Sequence, residues 1–429
     1  MKVLAVSVTS ALLLGAATVW AQPTSDEALE RMRGMQTTGQ SLAMQTVPQE
    51  GEVADAIRRN LERIRLPPGF RIELYAVVPD ARHMAVGPSS GVVFVGTRKT
   101  DMWSVTDRTK NRVADEVKRF APAISFTQPG PCFTSDGFLY VAEHNRVLVF
   151  PAAEFFFEGP DVAVDIVVPS GELIPVEEES FNHGARVCAL GADNKLYVSL
   201  GQPYNVQPAE KRELYEEIGI GGIVRMERDG SRREVFAKGV RNSVGITFHP
   251  DTEELWFTDN QVDGMGDDIP PGEINHAPKP GMHFGMPWYG GGDTRTVDYR
   301  DEEPPEGLTF PVVETVAHAA DLGLTFYRGE MFPDAYRGGL FSAQRGSWNR
   351  STPVGARVMF TPFAEDGSGP SGATIPFAEG WLDESSGEYY GRIADVAQLA
   401  DGSLLVSDDT AGAIYRISYV SPAVPENET

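Results

Sequence analysis

One phrase recurs along this chain: a Gly/Asp turn, then a short β-rich run ending on an aromatic or aliphatic pair. It reads Ser90-Gly91-Val92-Val93-Phe94-Val95, Asp136-Gly137-Phe138-Leu139-Tyr140-Val141 and Asp193-Asn194-Lys195-Leu196-Tyr197-Val198. It continues as Glu253-Glu254-Leu255-Trp256-Phe257 and Asp401-Gly402-Ser403-Leu404-Leu405-Val406, with Gly338-Gly339-Leu340-Phe341-Ser342 as a degenerate member. From Val95 to Val141, Val198, Phe257, Ser342 and Val406 the steps are 46, 57, 59, 85 and 64 residues. Each phrase is a turn between two strands, and Arg146–Phe150, Gly222–Met226 and Ala413–Ile417 read as further strands. A small antiparallel sheet repeated at this period is the signature of a β-propeller. Six phrases predict six blades. The strand Phe70–Val77 has no phrase of its own and is predicted to complete the last blade beside Ala413–Tyr419. A two-sheet sandwich would supply the strands but not the repeat.

The 44 Gly and 31 Pro suit the turns such a fold needs. With 41% hydrophobic residues the chain can bury a large core, which excludes wholesale disorder. A formal charge of −24 argues against nucleic acid or an anionic membrane as partner, since both need a basic face. Two Cys exclude a disulfide scaffold, a Cys-rich zinc site and an iron–sulfur cluster. The absence of Cys-x-x-Cys-His excludes covalent c-type haem. Cys132 and Cys188 precede two similar strands and read as two buried thiols, although an oxidising compartment keeps a bridge open.

Residues 1–21 read as a secretory signal peptide: a basic Lys2, the apolar run Val3–Val19, and a small-residue site before Gln22. The apolar run is short for a membrane span, so no span is expected, and the location expected is periplasmic or secreted. Residues 22–65 read as a flexible lead followed by a short helix over Val53–Arg65, with Ile57, Leu61 and Ile64 on one face and Leu66-Pro67-Pro68-Gly69 as the stop. The propeller then spans 66–420, and 421–429 is a tail.

A propeller gathers the loops before its blade strands at one mouth of a central channel, and the unusual polar residues of this chain fall there. They are Gln128 in Ser125–Cys132, His183 in Phe181-Asn182-His183-Gly184, Arg241 and Asn242 in Gly239–Gly245, and the acidic loop Asp259–Glu273. His318, Arg345 and Arg392 complete the set. Arginines at one mouth suit a ligand with several carboxylates, because guanidinium pairs with carboxylate bidentately. A histidine there can take a proton near neutral pH. An acidic loop with free carbonyls suits a hard cation such as calcium. Each feature also has a plain structural use: a packed histidine, arginines paired with an Asp of the next blade, turn-forming Asp. His83, His144, His249, His276 and His283 carry no constellation and are read as structural.

At these segments the chain resembles the soluble glucose/sorbosone dehydrogenase family, quinoproteins that use pyrroloquinoline quinone, and within it the sorbosone-dehydrogenase-like branch. The resemblance runs from about Leu66 to Tyr419. It rests on Asn182-His183-Gly184, Gly239-Val240-Arg241-Asn242-Ser243-Val244-Gly245, Asn260 through Pro271, His283-Phe284-Gly285-Met286-Pro287, Gly346-Ser347-Trp348-Asn349-Arg350 and Ser407-Asp408-Asp409. It implies an all-β six-bladed propeller with the quinone at the channel mouth and calcium bridging the quinone to backbone carbonyls. It also implies a histidine that takes the proton of a sugar hydroxyl while hydride passes to the quinone. Residue by residue, His183 resembles that base, and Arg241 and Asn242 the pair facing the quinone carbonyls. Gln128, Asn260, His318, Arg345 and Arg392 resemble cofactor contacts. Gln261 and Val262 resemble the calcium carbonyls, and Glu273 the ligand of a second calcium.

Two departures stand out. Asn182 replaces the Asp that glucose-oxidising relatives place beside the base; it can orient an imidazole but cannot stabilise imidazolium by charge. Ala394 replaces a second arginine two residues after Arg392. The substrate expected is a small sugar, and with no haem motif the electrons leave to a separate acceptor. Two other readings stay open: a calcium-dependent sugar lactonase, which would need Glu, Asn and Asp metal ligands at the channel centre, and a non-catalytic binding propeller.

Overall fold

The computed structural model describes residues 36–37 and 44–421. The expected signal peptide, most of the lead, and the tail beyond Ser421 lie outside these residues. Six sheets of four or five strands surround one axis, as the phrase count predicts; their pairings are antiparallel except where Met282–His283 joins the third blade in parallel. The innermost strands of successive blades are Ala81–Val86, Gly130–Phe133, Cys188–Leu190, Ile246–Phe248, Asp321–Phe326 and Ile393–Gln398. Each recurring phrase is the turn between the innermost strand and the second. In blade one, Ala85↔Phe94 and Val86↔Val93 pair across it. In blade three, Ala189↔Tyr197 and Leu190↔Leu196 do so.

The ring closes as the orphan strand implies. Phe70–Val77 lies antiparallel to Ala413–Tyr419, from Phe70↔Tyr419 to Val77↔Ala413, with a bulge between Leu74 and Ala76. The last blade is thus built from both ends of the propeller, so neither end can peel away without breaking a sheet. Gly69 makes this entry possible: its φ is +88°, and a Cβ there would lie 2.5 Å from the Tyr419 ring.

Alternation in the strands sends side chains to both faces of each sheet, and neighbouring blades share what they bury. Phe94 and Phe120 of blade one pack with Leu139 and Phe150 of blade two, all fully buried. Tyr140 and Val147 of blade two meet Leu196 and Val198 of blade three. Each such ring is worth ~2–3 kcal/mol of burial. The short helix runs Glu52–Leu61, ending before the predicted Arg65. Its Ala54 and Ile57 are buried against the fifth and sixth blades. Ile64 packs there from beyond the helix end, which is why its spacing read as helical.

The cysteines correct the sequence reading. Cys132 and Cys188 form a disulfide, with Cα atoms 5.7 Å apart. Cys132 lies in the innermost strand of blade two and Cys188 begins that of blade three, neighbours around the axis, so near-equivalent repeat positions become adjacent in space. No helix among the described residues is long and apolar enough to cross a membrane.

Candidate functional site

Topology decides which residues meet. Innermost strands start at one mouth of the channel, and second strands, running antiparallel, end there. Residues just before the first and just after the second therefore gather at one rim. Gln128, His183, Arg241, Asn242, His318 and Arg392 belong to the first class; Asn260, Gln261 and Arg345 to the second. The channel below the rim encloses about 430 Å³ and is walled by the innermost strands of all six blades.

His183 is half-buried with φ +54°, a left-handed backbone. Its Nδ1 lies 2.6 Å from the Gln202 carbonyl, which fixes the proton on Nδ1. Nε2 has no hydrogen-bond partner among the described residues, so its lone pair is free. Burial, then the Arg241 charge, pushes the imidazole down to about 4. It is a neutral base throughout the physiological range. The backbone is held by Arg186, whose Nη1 donates to the His183 carbonyl (2.7 Å) and whose Nε donates to the His144 carbonyl (3.2 Å). Arg186 is buried with no carboxylate in ion-pair reach among the described residues. Asn182, expected to orient the imidazole, is exposed, and only its backbone N–H is bonded, to Ser180 Oγ at 3.1 Å. The main-chain carbonyl of Gln202 does the orienting instead.

Gly201 and Gln202 join the base to the arginine. The Gln202 N–H donates to the Arg241 carbonyl (3.0 Å), and a Cβ on Gly201 would lie 2.6 Å from both the His183 carbonyl and Asn242 Oδ1. Arg241 is buried and extensively engaged by its own chain. Its Nη2 pairs with Asp263 (2.9 Å) and with Asn205 Oδ1 (2.8 Å), Nε donates to the Asn205 carbonyl (2.9 Å), and Nη1 to the Asn260 carbonyl (3.2 Å). The Asp259 carboxylate receives the N–H groups of Arg241 (2.8 Å) and Asn242 (2.6 Å).

The acidic loop is pinned by His318, whose Nε2 donates to the carbonyls of Gly266 (2.8 Å) and Ile269 (3.2 Å). Its Nδ1 accepts from Gln261 Nε2 (3.1 Å). Asn349 bonds Asp263 (2.6 Å), tying the fifth-blade loop to the fourth. Asn260 Nδ2 donates to the carbonyls of Asn242 and Asp321, both at 3.1 Å. The carbonyls of Gln261 and Val262 accept no hydrogen bond among the described residues. Beneath them Asp259 and Glu273 face one another on paired strands. Burial, then the Asp259 charge, pushes Glu273 up to about 8, and burial pushes Asp259 to about 6. A space of about 10 Å³, enough for one water-sized particle, separates Arg241, Asp259, Gln261 and Glu273 from Gly290 and Gly291. Glu273 accepts from the Gly292 N–H (2.7 Å) and Asn275 Nδ2 (2.8 Å). No group of three His, Cys, Asp or Glu among the described residues is spaced to hold a metal.

On the far side of the rim Arg345 grips Asp409 with Nε (3.0 Å) and Nη2 (2.9 Å). Arg82 reaches the same carboxylate at 2.6 Å. Arg392 lies over the Tyr389 ring at 4.2 Å, and its Nη2 donates to the Ser347 carbonyl. Gln128, also at positive φ, aims a buried Oε1 without a partner toward Gly184. Further buried oxygens without partners are those of Gln202, Asn242, Gln261 and Asn349. Such orphans are rare in a closed core and mark a surface shaped for a polar ligand.

Sequence reasoning missed Arg82, Arg186, Gln202 and Asn205. Only the rule that second-strand ends share the rim would have found Gln202; Arg82 starts its strand, as the rule requires, but no motif draws attention to it. His144, read as structural, accepts the Ser180 N–H at 3.2 Å and packs edge-to-face on the exposed Phe181, beside the base.

Comparisons with known proteins agree with this geometry. The glucose/sorbosone dehydrogenase family model matches residues 172–347. An uncharacterized protein of Borreliella burgdorferi is 31% identical over 362 residues, 83% of this chain and 91% of that one. The holo pyranose dehydrogenase PQQ domain of Coprinopsis cinerea is 18% identical, with 83% of this chain and 97% of that one covered and a TM-score of 0.67. A calcium structure of a carbohydrate-active enzyme of Trichoderma reesei matches at 18% identity, the same coverages and a TM-score of 0.68. The soluble aldose sugar dehydrogenase of Escherichia coli, in apo form, matches at 16% identity, with coverages of 82% and 100% and a TM-score of 0.58. At these identities the structures speak for the fold, and the family match and the rim residues carry the rest: the chain belongs to the glucose/sorbosone dehydrogenase family.

Proposed function

We propose that the protein is an exported quinoprotein that oxidises an aldose or related sugar, with His183 as general base and with pyrroloquinoline quinone and calcium as cofactors. The observation that carries this reading is the set of rim donors with no partner among the described residues, Nη1 of Arg345 and the side-chain amide groups of Gln128 and Asn242, beside a neutral histidine whose Nε2 is free. These groups fit a flat, polyacidic quinone. Arg345, Arg392, Asn242 and Gln128 would hold it, and Asn260, its amide donors given to the Asn242 and Asp321 carbonyls, would fix the loop beside it. The unbonded carbonyls of Gln261 and Val262 suit a hard cation, and Glu273 beside its small cavity suits a second. When bound, the quinone supplies the two-electron hydride acceptor, and calcium makes it more electrophilic.

The chain supplies the proton chemistry. His183 Nε2 accepts the hydroxyl proton of the sugar, and the Gln202 carbonyl holds Nδ1–H so that only Nε2 is available. Arg241 and Asp259 fix the strand ends that present Asn242. His318 holds the acidic loop in place rather than free to meet a ligand. Trp348 and Phe181, 76% and 78% exposed at the rim, offer apolar faces for a pyranose ring. Electrons leave to a separate carrier, and the expected leader peptide places the enzyme in the periplasm or outside the cell.

The test is reconstitution. Purified protein stripped of cofactor is incubated with pyrroloquinoline quinone and calcium and assayed for aldose-dependent dye reduction. Turnover that needs both additions supports the proposal; sugar-lactone hydrolysis without quinone would replace it with the lactonase reading.

A further inference from the structure

We propose that Arg82 and Arg98 of the first blade, with Arg345 of the fifth and Arg392 of the sixth, form a binding site for a polycarboxylate, built around the carboxylate of Asp409. Asp409 has no exposed side-chain surface and receives Arg345 at 2.9 Å and Arg82 at 2.6 Å, with Arg98 at 3.9 Å. Three guanidinium groups therefore share one carboxylate, and the half-buried Arg392 stands close enough to feel both Arg345 and Asp409. The side chains of Arg82 and Arg345 are only 12% and 17% exposed, so water screens their surplus charge poorly.

Their donors are also unspent. Nε and Nη2 of Arg82 and Nη1 of Arg345 make no hydrogen bond among the described residues. Arg82 and Arg392 are held below their ordinary pKa by burial and by neighbouring arginines, the response of a cluster short of anions. A ligand with two or three carboxylates satisfies both the charge and the forked donors.

The Met84 N–H donates to Asp395 Oδ2 at 2.8 Å, so the strand that begins near Arg82 lies against the innermost strand of the sixth blade, which Arg392 immediately precedes. The inference depends on the proposed function only for the identity of the anion.

Calorimetric titration of the cofactor-stripped protein tests it, with two probes: pyrroloquinoline quinone, and benzene-1,2,4-tricarboxylate as a redox-silent carboxylate. Arg82→Gln and Arg98→Gln are each expected to weaken binding about tenfold or more, the scale of a charged hydrogen bond. Asp409→Asn removes the competing carboxylate and is expected to tighten it. Opposite signs separate an anion site from a structural ion-pair cluster, which would lose affinity in every variant. Arg98 is half exposed, so its replacement spares the fold and decides the matter if the other variants fail to fold. Affinities within twofold of wild type in Arg98→Gln and Arg82→Gln would overturn the proposal, as would wild-type protein that binds neither probe. Tricarboxylate binding with the expected charge order but no quinone binding would keep the site and reject the quinone reading.

Discussion

Replacing both cysteines, Cys132→Ala with Cys188→Ala, tests how far the disulfide holds the ring together. The bond closes a loop between residues 56 apart in sequence. In the chain-entropy account, opening a loop of that size returns about 4 kcal/mol of freedom to the unfolded chain. Spread over the entropy of unfolding of roughly 380 ordered residues, that is a fall in Tm of about 5 °C. Removing the sulfur atoms themselves, one buried and one half-buried, costs less than about 1 kcal/mol each in packing. Scanning calorimetry of the oxidised wild type and the double variant reads this directly, and reductant should move the wild type by the same amount. A variant that melts within about 1 °C of wild type would refute the argument, because the closed ring would then already restrain these strands. The same strands present Gln128 and His183, so activity should fall with the melt only if the bond also sets the rim geometry.

Four further outcomes are expected. Arg241→Ala leaves the Asn205 carbonyl without its donor and Asp263 with Asn349 as its remaining side-chain donor, and should cost ~2–3 kcal/mol in urea unfolding, toward the low end for a broken buried pair because Asp263 is 29% exposed; an unchanged midpoint would contradict it. Arg186→Met removes a buried charge that lowers the His183 pKa, so an NMR titration of the imidazole should move up from about 4, and an unmoved value would count against the placement. Asp395, pushed up to about 7 by burial, keeps its proton in the folded state and loses it in the unfolded state between pH 4 and 7. Stability it contributes at low pH is therefore lost as pH rises through 7, and Asp395→Asn should flatten the fall between pH 5 and pH 8 by about 2–3 kcal/mol; parallel stability curves would contradict this. Asn182→Asp should shift the acid limb of the pH–rate profile by less than about one unit, since Asn182 is exposed and does not touch the ring; a larger shift would show that the loop closes over the base.

The blade count, the closing strand and the mouth-facing segments were legible because turns and alternating strands are local signals. Phe70–Val77 could be placed because it lacked a phrase while the last blade lacked a strand. The rim was half legible. His183, Arg241 and Asn242 stand in contiguous motifs, whereas Gln202 acts through a main-chain carbonyl that leaves no mark on residue type, and Asn205 belongs to no motif. Arg82 and Arg98 lie over 300 residues from the Asp409 they surround, and only ring closure makes them neighbours. The disulfide was missed for the same reason: Cys132 and Cys188, 56 residues apart and on two different repeats, become neighbours only when the blades sit side by side. Arg241 shows the reverse case: its motif marks a ligand-facing arginine, while its bonds to Asp263, Asn205 and Asn260 depend on residues that the motif does not contain.

The most direct test of the account is His183→Gln, measured two ways on one sample. The variant should bind pyrroloquinoline quinone with wild-type stoichiometry and affinity, since the arginines and the side-chain amides of Gln128 and Asn242 are untouched. With quinone and calcium saturating, its aldose oxidation rate should fall by ~10²–10⁴, the contribution of a positioned base. Near-full activity with quinone bound would contradict the account, for then the proton leaves the sugar by a route that His183 does not provide.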